Sequence, residues 1–167
     1  LQFRKNKGIH RGFDAALDDI WEDLKKHYDK NAKGKVLLVT GHSLGAALAT
    51  LFSARINDEN SACYTFGSPR TATPKVVKKM NFKAYRFRNN NDVVTKVPPE
   101  FLGFTHKSDK TTYFDCYGEV KEGWSRWYMI KEWFRGTWLG IFQFKVDGFA
   151  DHGMGNYHAL CERESKK

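Results

Sequence analysis

Apolar residues recur at helical spacing early in the chain: Phe13, Ala16, Leu17, Ile20, Trp21, Leu24 and Tyr28, with Asp14, Asp18, Asp19, Glu22 and Lys25 between them. That spacing predicts one amphipathic helix, ending near Gly34. The basic stretch from Leu1 to Ile9 ahead of it has no period. At Val36 the pattern changes. Val36-Leu37-Leu38-Val39-Thr40 is a continuous apolar run and predicts a buried strand. Ala46-Ala47-Leu48-Ala49 then opens a helix expected to run to about Asn57. Ala62 to Phe66 predicts the next strand, closed by Gly67-Ser68-Pro69-Arg70. A short helix is expected over Pro74 to Asn81 and a third strand over Ala84 to Phe87. Strands alternating with helices imply right-handed crossovers and a parallel sheet, hence the α/β class. Active groups should gather at the C-terminal ends of the strands.

The junction between the first strand and its helix carries the clearest chemistry. Gly41-His42-Ser43-Leu44-Gly45 is G-x-S-x-G in a strand–turn–helix context, the nucleophile elbow. A turn this tight forces Ser43 into strained backbone angles. Gly41 and Gly45 are then expected because a Cβ at either would strike the neighbouring strand or helix. The result is an exposed Oγ at a helix N-terminus, whose free N–H groups can face a developing oxyanion.

Composition narrows the picture in places. A chain of 167 residues without repeats or low-complexity linkers is one domain by size, 1–167. Aromatic residues make up 15%, which calls for a dense core or an apolar binding surface. The net charge of +9 suits an anionic partner such as a phospholipid surface. The basic residues are scattered without a recognition-helix pattern, so no nucleic acid is expected. Cys63, Cys116 and Cys161 have no C-x-x-C spacing and an odd count, which argues against a disulfide framework or a zinc site and leaves room for one bridge. No apolar run reaches 18 residues, so no membrane-spanning helix is expected. The start at Leu1 rather than Met reads as a cut chain, so a missing signal-peptide pattern carries little weight.

A serine nucleophile needs a base and a group that orients it. The loop Asn89-Asn90-Asn91-Asp92 leaves the third strand at the right end of the sheet, which makes Asp92 a candidate acid. Asp109, Asp115 and Asp147 compete with it on chemistry alone. His152, between Asp151 and Gly153 ahead of a final helix, suits a base that must move between Oγ and leaving group. His158 reads as a packed residue of that helix. His10, His27 and His42 do not fit the chain order Ser…Asp…His, and His106 reads as a hydrogen-bonded loop histidine.

Together these segments resemble the class 3 (fungal-type) triacylglycerol lipases of the α/β-hydrolase fold, over nearly the whole chain. Ile9-His10-Arg11-Gly12-Phe13 is similar to the family's V-H-x-G-F, and Gly41 to Ala49 to its G-H-S-L-G-G-A-L-A, with Ala46 in place of the commoner Gly. Phe66 to Arg70 matches F-G-x-P-R. Asn91-Asp92-Val93-Val94 with Val97-Pro98-Pro99 resembles the segment carrying the acid. Gly103-Phe104-Thr105-His106 resembles the loop with the family histidine, here followed by Lys107-Ser108 instead of Val-Gly. Asp151-His152-Gly153-Met154 through Tyr157 is similar to D-H-S-M-x-x-Y.

The resemblance implies a mostly parallel α/β-hydrolase-type sheet with helices on both faces. It implies a carboxylic-ester hydrolase acting on acylglycerols or related lipids through Ser43, Asp92 and His152, with one oxyanion bond from the Leu44 N–H and no metal or cofactor. The implied partners are a lipid ester and, peripherally, an anionic membrane or lipid-droplet surface. Oligomeric state and compartment stay open. A phospholipase or thioesterase variant, and a catalytically impaired lipid-binding module, are the competing readings.

One departure matters. The family's other oxyanion donor sits on an F-R-G-T/S strand end upstream of the V-H-x-G-F segment, and nothing before Leu1 supplies it. Phe134-Arg135-Gly136-Thr137 spells that motif only after the acid, as coincidence. The expectation is an N-terminally truncated chain that lacks the first strands and much of the lid. Loss of one such donor typically costs about 2.7–4 kcal/mol of transition-state stabilisation. Between acid and base, Trp124 to Phe144 is strongly aromatic and suits either a helical hairpin on the sheet or a flap that docks on lipid.

Overall fold

The computed structural model describes residues 8–121 and 150–167. Asp147, Phe134–Thr137 and the aromatic segment Trp124–Phe144 lie outside the described residues.

Five strands form one sheet in the order of the chain: β1 (Leu37–His42), β2 (Ser61–Phe66), β3 (Lys83–Asn89), β4 (Lys110–Phe114) and β5 (Val120–Lys121). The first four run parallel and β5 pairs antiparallel with β4. The expected parallel α/β sheet is therefore present. Between β1 and β2 runs α3 (Leu44–Ile56), and a shorter helix α4 (Pro74–Val77) follows β2. The chain ends in α5 (Met154–Ser165).

Strand alternation divides the sheet into two faces. On one, Val39, Cys63 and Ala84 pack against Ala49 of α3 and Val76 of α4, with Met80 and Phe82 completing the core. Besides Leu51, the buried residues of α3 are Ala46, Ala47, Ala49, Thr50 and Ser53, whose small side chains let the helix lie close to its neighbours. On the opposite face, Tyr64 stacks on Tyr85 and Phe66 on Phe87, with centroids 4.9 and 4.7 Å apart. Tyr64, Phe66 and Phe87, with Leu38, Phe114 and Cys161 of α5, line an apolar groove of about 540 Å³. Helices thus lie on both faces.

The first helix departs from expectation. Its apolar stripe forms two helices, α1 (Arg11–Asp18) and α2 (Trp21–Asn31), separated at Asp19-Ile20. Arg55 of α3 draws Asp14 and Asp18 to itself at 2.6 and 2.7 Å, which anchors α1 on α3. Leu17 is fully buried there, whereas α2 buries no residue completely. Tertiary packing of α1, rather than the period, decides where the helix stops. The helix after Pro74 is likewise shorter than expected.

The apolar run at Val36 does form a strand, but not a buried one: Val36 is 78% and Leu38 67% exposed. Among the described residues β1 lies at the edge of the sheet, and Leu38 points to the face away from α3. Among the described residues no helix is long and apolar enough to cross a membrane. All three cysteines are free thiols.

Candidate active site

The elbow is built as its sequence requires. Ser43 caps α3 with φ 57° and ψ −125°, a region that costs a non-glycine residue of order 1–3 kcal/mol. The Ser43 N–H donates to Phe66 O at 3.0 Å and continues the β1–β2 ladder up to the turn. A Cβ on Gly41 would stand 2.3 Å from the Gly45 carbonyl oxygen, so only glycine lets strand and helix approach this closely. The expectation for Gly45 is corrected: a Cβ there meets nothing within 4 Å among the described residues. Gly45 presents its backbone to Gly41, and its own side is open.

The sheet brings three predicted groups together across more than a hundred residues. Ser43 Oγ lies 2.7 Å from His152 Nε2. His152 Nδ1 lies 3.0 Å from both carboxylate oxygens of Asp92. A carboxylate can only accept, so Nδ1 carries the proton and Nε2 is the acceptor for the Ser43 hydroxyl. Asp92 is fully buried and the His152 side chain 17% exposed, so the carboxylate is shielded and the imidazole reachable. Leu44 begins α3, where the first N–H groups of a helix have no acceptor in a preceding turn.

Competing acids are occupied elsewhere. Asp109 accepts from the Ala84 N–H and pairs with Lys107, at the opposite end of the sheet. Asp115 caps the β4–β5 turn by accepting from the Tyr117 and Glu119 N–H groups. Among the histidines, His106 Nε2 donates to Thr95 O at 3.0 Å, which agrees with a hydrogen-bonded loop residue. Burial first, then the charges of Arg86 and Arg70, push its pKa well below the usual histidine value. His10 accepts from the Phe13 N–H as the cap of α1. His158 is on α5 but exposed, not packed.

Four residues around the site make contacts that chain order and spacing do not reveal. His42, set aside on order, donates from Nε2 to the His152 carbonyl at 2.7 Å and stacks on its ring at 4.6 Å. Tyr157 donates to Asp92 Oδ2 at 2.6 Å and accepts from the Asn89 N–H at 3.0 Å. Burial, the charge of Asp92 and that hydrogen bond all raise its pKa and keep the phenol protonated. Gly67, with φ 58°, passes so close to the pair that a Cβ would stand 2.8 Å from Asp92 Oδ2 and 3.0 Å from the His152 ring. Within the same F-G-x-P-R string, Arg70 donates to the carbonyls of Lys96 and Pro98 and pairs with Glu100 at 2.8 Å, pinning the loop that follows Asp92. The signals for Tyr157, Gly67 and Arg70 were the motif positions themselves. His42 had none beyond its place in the elbow.

The family model described as lipase (class 3) matches residues 2–102, well over half of the chain. The chain belongs to the class 3 lipase family. A secreted mono- and diacylglycerol lipase of Malassezia globosa is 36% identical over 110 residues, covering 61% of this chain and 36% of the relative. This class 3 lipase chain therefore spans about a third of the length of the curated relatives it matches first. Among solved structures, a mutant form of MDLA from Penicillium cyclopium is 27% identical, with a TM-score of 0.56 over 68% of this chain and 47% of that one. The Rhizomucor miehei triacylglyceride lipase shares the fold at 24% identity, with a TM-score of 0.60 over 72% and 51% of the two chains.

Proposed function

We propose that this chain carries the reaction centre of a carboxylic-ester hydrolase acting on acylglycerols, with Ser43 as nucleophile, His152 as general base and acid, and Asp92 as the orienting carboxylate. The reading rests on one observation above all, the 2.7 Å approach of Ser43 Oγ to His152 Nε2 while Nδ1 faces the buried Asp92. His152 takes the hydroxyl proton as Oγ attacks the ester carbonyl, and Asp92 stabilises the imidazolium that forms. The Leu44 N–H, at the start of α3, donates to the oxyanion. His152 then returns its proton to the leaving alcohol, and a water molecule repeats the cycle on the acyl-enzyme. No step calls for a metal or an organic cofactor.

Family membership and the names of the relatives, mono- and diacylglycerol lipases, support glycerides as the substrate class. The net charge of +9 favours contact with an anionic lipid surface. A fluorophosphonate probe should label Ser43 in the wild type and leave Ser43→Ala unlabelled. Absence of label on folded wild type would make this a lipid-binding module and end the enzyme reading. A chain-length series of glycerol, phosphoglycerol and thiol esters then separates glyceride hydrolysis, the expected preference, from phospholipase or thioesterase activity.

A further inference from the structure

The residue before the base is held more tightly than a turn requires. Asp151 Oδ2 accepts from Asn90 Nδ2 at 2.9 Å and from the Asn91 N–H at 3.1 Å, and the Asp151 carbonyl accepts from Asn89 Nδ2 at 3.0 Å. All three asparagines are buried, and they immediately precede Asp92. Asn90 is itself fixed, its N–H donating to Phe114 O at 2.7 Å on the end of β4 with φ at 28°. The loop that presents the acid therefore also grips the backbone that presents the base.

We propose that Asp151 is a positioning residue for His152, clamped by Asn89, Asn90 and Asn91 so that acid and base move as one body. Resting on the serine-hydrolase reading above, this explains why amide side chains stand at Asn89 and Asn90, where any polar turn would serve, while Asn91 contributes its backbone N–H. Amides can donate to a carboxylate without adding charge beside Asp92, whereas carboxylates there would repel both Asp92 and Asp151. His152 has no secondary structure of its own to hold it, since α5 begins only at Met154. Without the clamp the ring loses its register with Ser43, although neither catalytic partner is altered.

The test uses the full chain with Asp151→Ala, Asp151→Asn, Asn90→Ala and the pair Asp151→Ala/Asn90→Ala, assayed on a soluble short-chain ester. A misplacement near 1 Å costs about 10²-fold, so Asp151→Ala should lower kcat by about that factor, with KM and thermal midpoint nearly unchanged. Asp151→Asn, which keeps one acceptor oxygen, should recover part of the loss. The double variant should be no slower than the worse single one. In a His152→Ala background, Asp151→Ala should add nothing, an outcome a merely structural role would not give. Unchanged kcat in folded Asp151→Ala, or an equal further loss without His152, overturns the clamp. If Asp151→Ala fails to fold, Asp151→Asn and Asn90→Ala carry the same comparison. Should the wild type neither hydrolyse ester nor take a fluorophosphonate, the hydrolase reading fails instead. The proton resonance of the His152–Asp92 hydrogen bond then decides the clamp, and an unshifted signal in Asp151→Asn refutes it.

Discussion

The Tyr157 phenol donates a 2.6 Å hydrogen bond to Asp92 Oδ2, and both residues are fully buried. Asp92 Oδ1 accepts from the Val94 N–H at 2.9 Å, so each carboxylate oxygen is held by one protein donor besides His152. A buried carboxylate fixed from both ends keeps one orientation, and the imidazole that reads it does the same.

Tyr157→Phe removes the donor to Asp92 and strands the Asn89 N–H, whose acceptor is the same phenol oxygen. An unsatisfied buried polar group costs about 1–3 kcal/mol. Urea unfolding should show a loss of that size, and ester hydrolysis a fall in kcat of about tenfold or more. Wild-type kcat in the variant would remove Tyr157 from the site.

Gly67 and Gly45 should respond in opposite ways to alanine. At Gly67 the new Cβ enters the space of Asp92 Oδ2 and the His152 ring, on a backbone with positive φ. Gly67→Ala should lose about 10²-fold or more in kcat while still folding, since displacement of acid and base acts through geometry. At Gly45 nothing among the described residues lies within 4 Å, and alanine is the better helix former by roughly 1 kcal/mol. Gly45→Ala should keep Ser43 labelling by a fluorophosphonate and raise the unfolding midpoint. Equal damage from the two substitutions would contradict the geometry of the elbow.

Much of this was legible in the residues. β1 to β3 and α3 announce themselves through apolar runs and turn residues, and the elbow through its glycines. The edge position of β1 among the described residues does not, because Val36 and Leu38 read the same in a central strand; only the sheet order exposes them. The division of the first helix was hidden too, since Arg55 lies 37 residues from Asp18. Spacing could not choose Asp92 over Asp109 or Asp115, whose carboxylates are taken up by distant or turn backbone groups. Chain order sets His42 aside as the base, and order says nothing about which residues hold the proposed base in place.

His42 touches His152 twice, through its 2.7 Å bond to the carbonyl and through the stacked ring. The bond is to a neutral acceptor and contributes about 1 kcal/mol, equivalent to a rate factor of at most about tenfold. His42→Ala should therefore lower kcat modestly, well short of the loss of about 10⁴-fold expected for Asp92→Asn by analogy with serine proteases. The two variants measured side by side on one soluble ester check the ranking, and a reversed order would mean that His42 has a direct part in proton transfer.

Acid should destabilise the fold through His106 and His10. The pKa of each is lowered, in His106 by burial and then Arg86 and Arg70, in His10 by burial. With the folded value below the unfolded one, the unfolded chain binds more protons between the two. Stability is then fully present above pH 6.5 and is lost as pH falls toward the folded value. The slope cannot exceed about 1.4 kcal/mol per pH unit for each group, because each binds at most one extra proton in the unfolded chain. His106→Gln keeps a donor for the Thr95 carbonyl but cannot titrate, so urea unfolding from pH 7.5 to 5 should show a shallower acid limb, with the remainder due to His10. An identical slope in the variant would show that the imidazole stays neutral in both states or is solvated in the fold.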